Sequence, residues 1–582
     1  MNVLGLNAYH GDASATLLSE RGIECAIEEE RFSRLKHQAG FPGLAASGCL
    51  QWAGMKAKEI EHVAISRDPS AHLHRKLMFA LSQGPRFSTI RDRLANVSRV
   101  ADPRSALASA LGVPEGTVTG TVHRVEHHQA HMASSFFVSP FDEAALLSID
   151  GFGDFVSTMW GVGRGTNITI DDWVEFPHSL GILYTAVTQY LGFPRYGDEF
   201  KVMGLAPLGE PEYLDQMRRL VSRKGTGFAL DLRHFVHHSE GVNMTWESGS
   251  PSLGPVYSPA LVDLLGPKRE PGQPLERHHE NIAASLQALL EEVVLDLLRR
   301  LAASTGQRRL CMAGGVALNC TLNGKITRET PFEEVYIQPA AYDAGTALGA
   351  ALHVRHQLLG QPRDVVMDHV YWGLEYSPSE CKSALERHGL EYREFSDDES
   401  LAQATAELLA EGHILGWFQG RFEWGPRALG NRSINCDPRN PRMKEILNSR
   451  IKHREAFRPF APSVTAEAAS EYFALDQPSP FMLITCQVRK DKQSVIPAVT
   501  HVDGTARVQT VTREANPRYW QLLRAFGRVT GVPVLLNTSF NENEPIVNTP
   551  DEAVGCFLRN DMDMLVLGPY LVVRRHEGES HA

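Results

Sequence analysis

The sequence predicts an α/β protein of two domains, and three of its features support that expectation. A short apolar run, Val3-Leu4-Gly5-Leu6, passes through a polar turn holding Asn7, His10, Gly11 and Asp12 into a second apolar run from Ala13 to Leu18, which is the pattern of strand, turn and strand. The same pattern returns at Ala145 to Ile149, Asp150-Gly151-Phe152-Gly153-Asp154 and Phe155 to Trp160, suggesting a duplicated unit. Further along, strands alternate with helices, as α/β domains require.

Between Asn281 and Ala303 the apolar residues Ile282, Leu286, Leu289, Leu290, Val293 and Leu297 share one helical face, with Glu291, Glu292 and Arg299 largely elsewhere. That helix feeds a predicted buried strand, Arg309 to Ala313, and Gly314-Gly315 is expected to open the next helix. A small-residue helix from Ala344 to His353 and a polar connection with Gly360, Pro362 and Asp364 close the first domain, set at residues 1–360. Over residues 361–582 the pattern restarts. A helix around Leu401 to Leu409, the apolar run Ile414 to Phe418, and a strand Val532 to Leu536 running into Asn537-Thr538-Ser539-Phe540-Asn541 mark a second α/β domain.

The 582 residues are 43% hydrophobic and 22% charged, enough to bury sizeable cores. Lys plus Arg number 58 against 69 for Asp plus Glu, a net charge of −11. That balance opposes a protein built to coat nucleic acid or an anionic membrane, although a local basic pocket remains open to it. A basic stretch (Arg75, Lys76, Arg86, Arg91, Arg93, Arg99, Arg104) reads as a solvated helical insertion in preference to an RNA-binding arm. The eight cysteines are scattered without a CxxC pair, so neither a disulfide scaffold nor a structural zinc module is expected and a reducing cytoplasm is the expected compartment. The N-terminus has no basic n-region, and Asn7, His10 and Asp12 interrupt its apolar stretch, so no signal peptide is expected. No run of about 18 apolar residues is present to span a membrane.

Four groups of residues suggest chemistry. His127 and His131 stand four apart in His-His-Gln-Ala-His and would share a helix face. With a carboxylate from Asp150 or Asp343 they could hold Fe, Mn or Zn. The glycines of Asp150-Gly151-Phe152-Gly153-Asp154 and of Ala313-Gly314-Gly315-Val316-Ala317-Leu318-Asn319 would let backbone N–H groups approach phosphate oxygens. Set in duplicated strand–turn contexts, these loops suggest an ATP cleft of actin/sugar-kinase type, although tight turns would use the same glycines. In the second domain Arg421, Arg427, Arg432, Lys452, Arg454 and Arg458 lie among aromatics and prolines. They suit a phosphorylated anion, with a salt-bridge network to Glu423 and Glu455 as the structural alternative. His10, in the first turn, is a candidate general base.

These segments together resemble a known family. Asn-Ala-Tyr-His-Gly-Asp-Ala-Ser (7–14), Glu-Glu-Arg-Phe-Ser-Arg (29–34), His-His-Gln-Ala-His (127–131), Lys-Val-Met-Gly-Leu-Ala-Pro (201–207) and Gly-Gly-Val-Ala-Leu-Asn (314–319) are similar to blocks of the O-carbamoyltransferases of the NodU/CmcH/TobZ type. So are Gly-Pro-Arg-Ala-Leu-Gly-Asn-Arg-Ser (425–433), Arg-Glu-Ala-Phe-Arg-Pro-Phe-Ala-Pro (454–462) and Asn-Thr-Ser-Phe-Asn (537–541). The resemblance implies a first domain of actin/Hsp70/sugar-kinase fold, similar to tRNA threonylcarbamoyl transferase, and a YrdC-like second domain. It implies that the second domain joins carbamoyl phosphate to ATP as carbamoyl-adenylate, and that the first passes the carbamoyl group to a hydroxyl of a natural product or sugar, as in antibiotic and other secondary metabolism.

Residue by residue, the resemblance makes His127, His131, Asp150 and Asp343 metal ligands, with iron expected there and magnesium with the ATP. His10 becomes the catalytic base, and Lys36 a second candidate on the acceptor side. Asp12, Gly151, Gly153, Gly314, Gly315 and Asn319 form the expected nucleotide group, and Lys452, Arg454, Ser539, Asn541, Arg427 and Arg458 the carbamoyl-phosphate grip. The expected partners are carbamoyl phosphate, ATP and a hydroxyl acceptor that nothing in the sequence identifies, with neither nucleic acid nor membrane. A homodimer is supposed without support from any residue. An N-carbamoyl or tRNA-modifying transferase on the same scaffold, and a non-catalytic ATP-binding sensor, are the alternatives; the negative charge opposes the first, and the retained phosphate grip opposes the second.

Overall fold

Two five-stranded sheets with one shared strand order build the first of two units, Met1–Met367 and Asp368–Ala582. The structure is a computed structural model and describes residues 1–82, 102–241, 244–246 and 249–574. Arg86, Arg91, Arg93 and Arg99 of the basic stretch lie outside the described residues.

The first sheet contains β1 (Val3–Asn7), β2 (Ser14–Ser19), β3 (Gly22–Glu28), β4 (His62–Ile65) and β5 (Thr121–Arg124), in the order β3-β2-β1-β4-β5. The second contains β6 (Glu143–Gly153), β7 (Val156–Arg164), β8 (Asn167–Glu175), β9 (Arg309–Ala313) and β10 (Glu334–Ile337), in the order β8-β7-β6-β9-β10. In each, an antiparallel triplet is followed by two parallel strands, and the triplet's first strand pairs with the first parallel one. This is the duplication expected from the repeated hairpins, and it gives the unit its actin/sugar-kinase-like arrangement. β1 is buried along its whole length, as a strand covered on both faces must be.

Helix α1 (His127–Phe136) starts where the Glu126 carboxylate accepts a hydrogen bond from Gln129 N at 2.8 Å, an N-terminal cap. Helix α2 (Arg277–Thr305) is the long predicted one, and it ends at Gly306, whose φ of 68° favours glycine. Its face holding Ile282, Leu286, Leu289, Leu290 and Leu297 is buried, each such side chain contributing roughly 1.5–3 kcal/mol. Glu291 is buried too, and is compensated by Lys325 Nζ at 2.6 Å. The sequence expectation of a helix opening at Gly314-Gly315 is corrected. The chain makes a short 3-10 turn, Gly315–Leu318, and then a single helical turn, Cys320–Asn323, because the Asn319 side chain caps a new start at Leu322 N. Helix α3 (Gly345–Leu352) packs against β1 and α1 at backbone distance. A Cβ on Gly5 would come 2.0 Å from Ala347 O, and one on Gly349 would come 1.8 Å from Ala130 O.

In the second unit, β11 (Arg393–Glu394), β12 (Leu415–Phe418), β13 (Arg432–Cys436), β14 (Ala461–Thr465), β15 (Gln509–Val511), β16 (Val534–Ser539), β17 (Met564–Leu567) and β18 (Tyr570–Val573) form one mixed sheet. Its order is β11-β18-β17-β12-β13-β16-β14-β15. Helices α4 (Asp398–Ala410) and α5 (Pro517–Thr530) pack on each other. They share a core with Trp417, Leu535 and Val566 from the sheet. No helix among the described residues is long and apolar enough to cross a membrane.

Candidate active site

The C-terminal ends of β1 and β6 and the N-terminal halves of α1 and α3 supply the first unit's site. On α1, His127 and His131 are fully buried and four residues apart, so both imidazoles point the same way. Their Nε2 atoms lie 3.1 Å from each other, and each lies 3.2 Å from Asp150 Oδ2. Asp343, just before α3, places Oδ1 at 3.6 Å from His127 Nε2 and 3.7 Å from His131 Nε2. One donor atom from each of the four lies within 4.8 Å of all the others. Two imidazoles and two carboxylates match the charge of a divalent ion such as Fe, Mn or Zn, so the donor set fits a metal. The two carboxylates oppose one another. Burial pushes Asp343 well above the usual carboxylate range and Asp150 pushes it further, whereas Asp150, despite its burial, is held well below by hydrogen bonds from His127 and His131.

The glycines around this quartet have local reasons to be glycine. A Cβ on Gly153 would fall 2.0 Å from the His127 ring, and one on Gly314, with φ at 91°, would fall 2.2 Å from Ile149 O. Gly315 N donates to Asp150 Oδ1 at 3.0 Å. These residues shape the pocket that holds His127 and Asp150, whereas Gly151 has open space where a Cβ would stand. Asn319 exchanges hydrogen bonds with Gln287 and caps Leu322 N. The third histidine of the segment, His128, is tied to Ser148 Oγ at 2.8 Å and Val156 O at 2.9 Å and turns away from the quartet.

His10 lies beside the quartet. Its Nδ1 is 3.8 Å from Asp343 Oδ2, its ring stacks on His127 at 5.4 Å, and its buried Nε2 has no hydrogen-bond partner. Burial first, and then the Arg67 charge, hold its pKa well below the usual histidine value, so the neutral imidazole is favoured. The turn carrying His10 is closed by Asn7, whose amide donates to Gly11 O at 3.1 Å and Asp12 O at 2.9 Å.

Asp12 is engaged by His37 Nδ1 at 2.7 Å and by Tyr196 OH at 3.4 Å. Although burial opposes it, the charged form of His37 is held by Asp12, and its pKa rises to about 9. Glu30 completes that second cluster. Lys36 is exposed next to it, with its carbonyl accepting from Ser250 Oγ.

In the second unit the expected grip divides into a clamp and a cationic face. Buried Lys452 donates to Ser539 O at 2.6 Å, Asn541 O at 2.6 Å and Asn541 Oδ1 at 2.8 Å. An ammonium has three N–H donors, so these contacts occupy them and fix the end of β16. Ser539 Oγ donates to Asn541 Oδ1 at 2.7 Å within the same loop. Arg454 stacks on Phe460 at 4.5 Å, and burial, followed by the charges of Arg458 and Arg507, lowers its pKa to about 9. Arg458 has Glu455 at 3.6 Å. Arg427 is half-buried in the 425–433 segment. Arg432 is fully buried over Phe418 and donates to Gln419 O and Gly420 O, while Glu423 Oε1 accepts from the backbone of Leu429, Asn431 and Arg432. Glu423 thus binds main chain in place of the salt-bridge network considered from sequence. Arg67 and Arg507 were not singled out from sequence, because each stands alone among unremarkable neighbours.

A duplicated actin-like unit with a His/Asp quartet, followed by a second α/β unit with converging arginines, defines a two-part group-transfer protein. The chain belongs to the carbamoyltransferase family. "Carbamoyltransferase N-terminus" matches residues 2–352 and "Carbamoyltransferase C-terminus" residues 406–574, and the protein is a carbamoyltransferase-type enzyme. It is 42% identical to the uncharacterized protein sll1178 of Synechocystis, over 98% of this chain and 97% of that one. It is 39% identical to nodulation protein NolNO of Sinorhizobium fredii, over 98% of this chain and 80% of that one. With the 3'-hydroxymethylcephem-O-carbamoyltransferase of Streptomyces clavuligerus it shares 29% identity, over 76% of this chain and 78% of that one.

Proposed function

We propose that the protein is an ATP-dependent O-carbamoyltransferase, which makes carbamoyl-adenylate from carbamoyl phosphate and ATP in its second unit and transfers the carbamoyl group to an alcohol in its first. The observation that carries this proposal is the His127, His131, Asp150 and Asp343 quartet with the partnerless Nε2 of His10 beside it, in a chain of the carbamoyltransferase family. O-carbamoyltransferases among the relatives support a hydroxyl acceptor.

In this proposal His127, His131, Asp150 and Asp343 hold a divalent metal, with iron as the ion proposed. When bound, it supplies positive charge and Lewis acidity next to the donor's anionic groups. His10 is neutral near pH 7 because of its burial, and takes the proton of the acceptor hydroxyl at Nε2. Arg454 and Arg458, with Arg507, neutralise carbamoyl phosphate, whose phosphate passes to water as inorganic phosphate; the remaining carbamate oxygen bonds to the α-phosphorus of magnesium-bound ATP and pyrophosphate leaves. Lys452 holds the Ser539–Asn541 loop in place.

The test needs no acceptor. Purified protein with ATP, Mg²⁺ and carbamoyl phosphate should release pyrophosphate that depends on both substrates, and Arg454→Ala should release it only at far higher carbamoyl phosphate. Wild-type protein that releases none, with or without a panel of alcohols, overturns the adenylation step.

A further inference from the structure

Arg67 stands at the first unit's site and belongs to none of the residue groups described above. β1 and β4 are parallel neighbours with Leu6 paired to Ile65, so both chains leave the sheet at the same edge. His10 comes four residues after that pair on one chain, and Arg67 two residues after it on the other. The second loop is fixed on both sides of Arg67. Ser66 N donates to Leu6 O at 3.1 Å, and Thr346 Oγ1 donates to Ser66 Oγ at 2.7 Å. Asp68 N donates to Asp154 Oδ2 at 2.8 Å, and the same carboxylate oxygen accepts from His127 N at 3.1 Å. One aspartate therefore ties the Arg67 loop to the start of the helix that carries His127 and His131.

The guanidinium is largely uncommitted. Arg67 Nη1 donates to Tyr9 O, the carbonyl just before His10, at 3.3 Å. Among the described residues this is its one hydrogen bond, and no carboxylate comes within 4.0 Å of it. The neighbouring cation Lys76 donates to Pro69 O at 3.1 Å and faces Asp68 and Asp154. Arg31 lies between Glu28 at 3.2 Å and Glu30 at 3.1 Å, and Lys201 is paired with Asp198 at 2.9 Å. A guanidinium has five N–H donors, and a half-buried one with a single carbonyl partner is a poor structural strut and a good socket for an anion. Asp150, Asp154 and Asp343 line the same region, and a phosphorylated donor would meet repulsion there without a fixed positive charge on the His10 side.

We propose that Arg67 binds a phosphoryl oxygen of the carbamoyl donor beside His10 and stabilises the departing phosphate during transfer. The proposal rests on the carbamoyl-transfer function and adds the residue that holds its leaving group. In the step, the acceptor oxygen bonds to the carbamoyl carbon and its proton passes to His10 Nε2. The bond from that carbon to the phosphate oxygen breaks, and its electron pair stays on AMP. The phosphate gains negative charge, and Arg67 opposes that charge with the N–H groups that its one contact to Tyr9 O leaves over.

Arginine-selective modification of the full-length, metal-loaded protein by phenylglyoxal, followed by peptide mass spectrometry, reports on Arg67 separately from Arg454, Arg458 and Arg507. AMP is expected to slow modification of Arg67 about tenfold or more, with inorganic phosphate slowing it less. Arg67→Gln should raise the donor KM for transfer from preformed carbamoyl-adenylate about tenfold or more. It should leave the thermal midpoint and the carbamoyl-phosphate-dependent pyrophosphate release unchanged. Arg67→Lys, which keeps the charge without the fork, should recover part of the loss. Equal Arg67 modification with and without AMP, together with wild-type transfer by Arg67→Gln, overturns the inference and leaves the carbamoyl-transfer function standing. Wild-type protein that neither releases pyrophosphate nor transfers carbamoyl overturns both.

Discussion

The first unit's site and the second unit's site solve opposite electrostatic problems. The first gathers His127, His131, Asp150 and Asp343 in a buried cluster whose two carboxylates have no fixed counter-cation among them. The second gathers Arg454, Arg458 and Arg507, close enough that the latter two help lower the pKa of the first to about 9. Like charges are not collected in a folded core for stability, because each costs desolvation and repulsion. An anionic cluster of this kind calls for a cation, and a cationic one calls for an anion. Under the proposed function the contrast assigns a cation to the first unit and an anion to the second, so that two partial reactions could be broken separately.

Loss of the anionic cluster should have the largest effect. Asp150→Ala removes the one oxygen shared by both imidazoles at 3.2 Å. Carbamoyl transfer should fall about a thousandfold, and bound metal, read by elemental analysis, should be lost. Pyrophosphate release by the second unit should persist, and a parallel loss of it would break the division between the sites. Next in size, Arg454→Ala should raise the KM for carbamoyl phosphate about a hundredfold while metal content stays at the wild-type level. Because a planar fork matches phosphate oxygens, Arg454→Lys should restore little of that loss.

The sequence made the His127, His131, Asp150 and Asp343 quartet legible and left its surroundings obscure, for a physical reason. His127 and His131 show their spacing on any helix, and Asp150 follows an apolar strand directly, so both signals are local. Asp343, in Ala-Tyr-Asp-Ala-Gly-Thr, was legible as a second candidate carboxylate, and the resemblance then placed both aspartates in one ligand set. The glycines were legible as glycines and opaque as to purpose. Gly153 and Gly151 look alike in a loop, yet the first faces the His127 ring and the second faces open space. Lys452 read as a substrate cation, and its contacts to Ser539 and Asn541, which lie far from it in sequence, could not be read from its neighbours. Arg67 and Arg507 depend on chain segments distant in sequence, and no window of neighbouring residues records that.

The glycine pair supplies a sharper, smaller test of the same contrast. Gly153→Ala must move the His127 ring or the β6–β7 turn, since the new Cβ would fall 2.0 Å from Cγ and Cδ2. It should cost about 3 kcal/mol by chemical denaturation and weaken metal binding. Gly151→Ala meets nothing within 4 Å and should be close to neutral. If instead both variants lose nucleotide binding while keeping their metal, these glycines serve phosphate and not the histidine pocket.

The smallest expected effect concerns acid, and one source of it lies in the first unit. His237 is buried against the Phe152 and Phe176 rings at 5.9 and 5.8 Å, and Phe152 belongs to the Asp150–Gly153 turn. Its Nε2 lies 2.8 Å from Pro177 O, and its Nδ1 is buried without a partner. The neutral ring therefore donates once to that carbonyl, and a second proton would find no acceptor. Burial lowers the pKa from 6.5 to about 4. A histidine lowered on folding contributes stability above its unfolded pKa and loses it as pH falls, because the unfolded chain takes up the proton first. The contribution of His237 should be flat above about pH 6.5 and decline toward pH 4, with about 2 kcal/mol of it lost near pH 5. His237→Gln keeps a donor for Pro177 O without titrating, so its urea midpoints at about pH 8 and about pH 5 should differ less than those of the wild type. Equal acid sensitivity in the two proteins would place the titrating group elsewhere. A variant that is flatter only in probes of the first unit would show that the anionic site's supporting turn has its own response to pH.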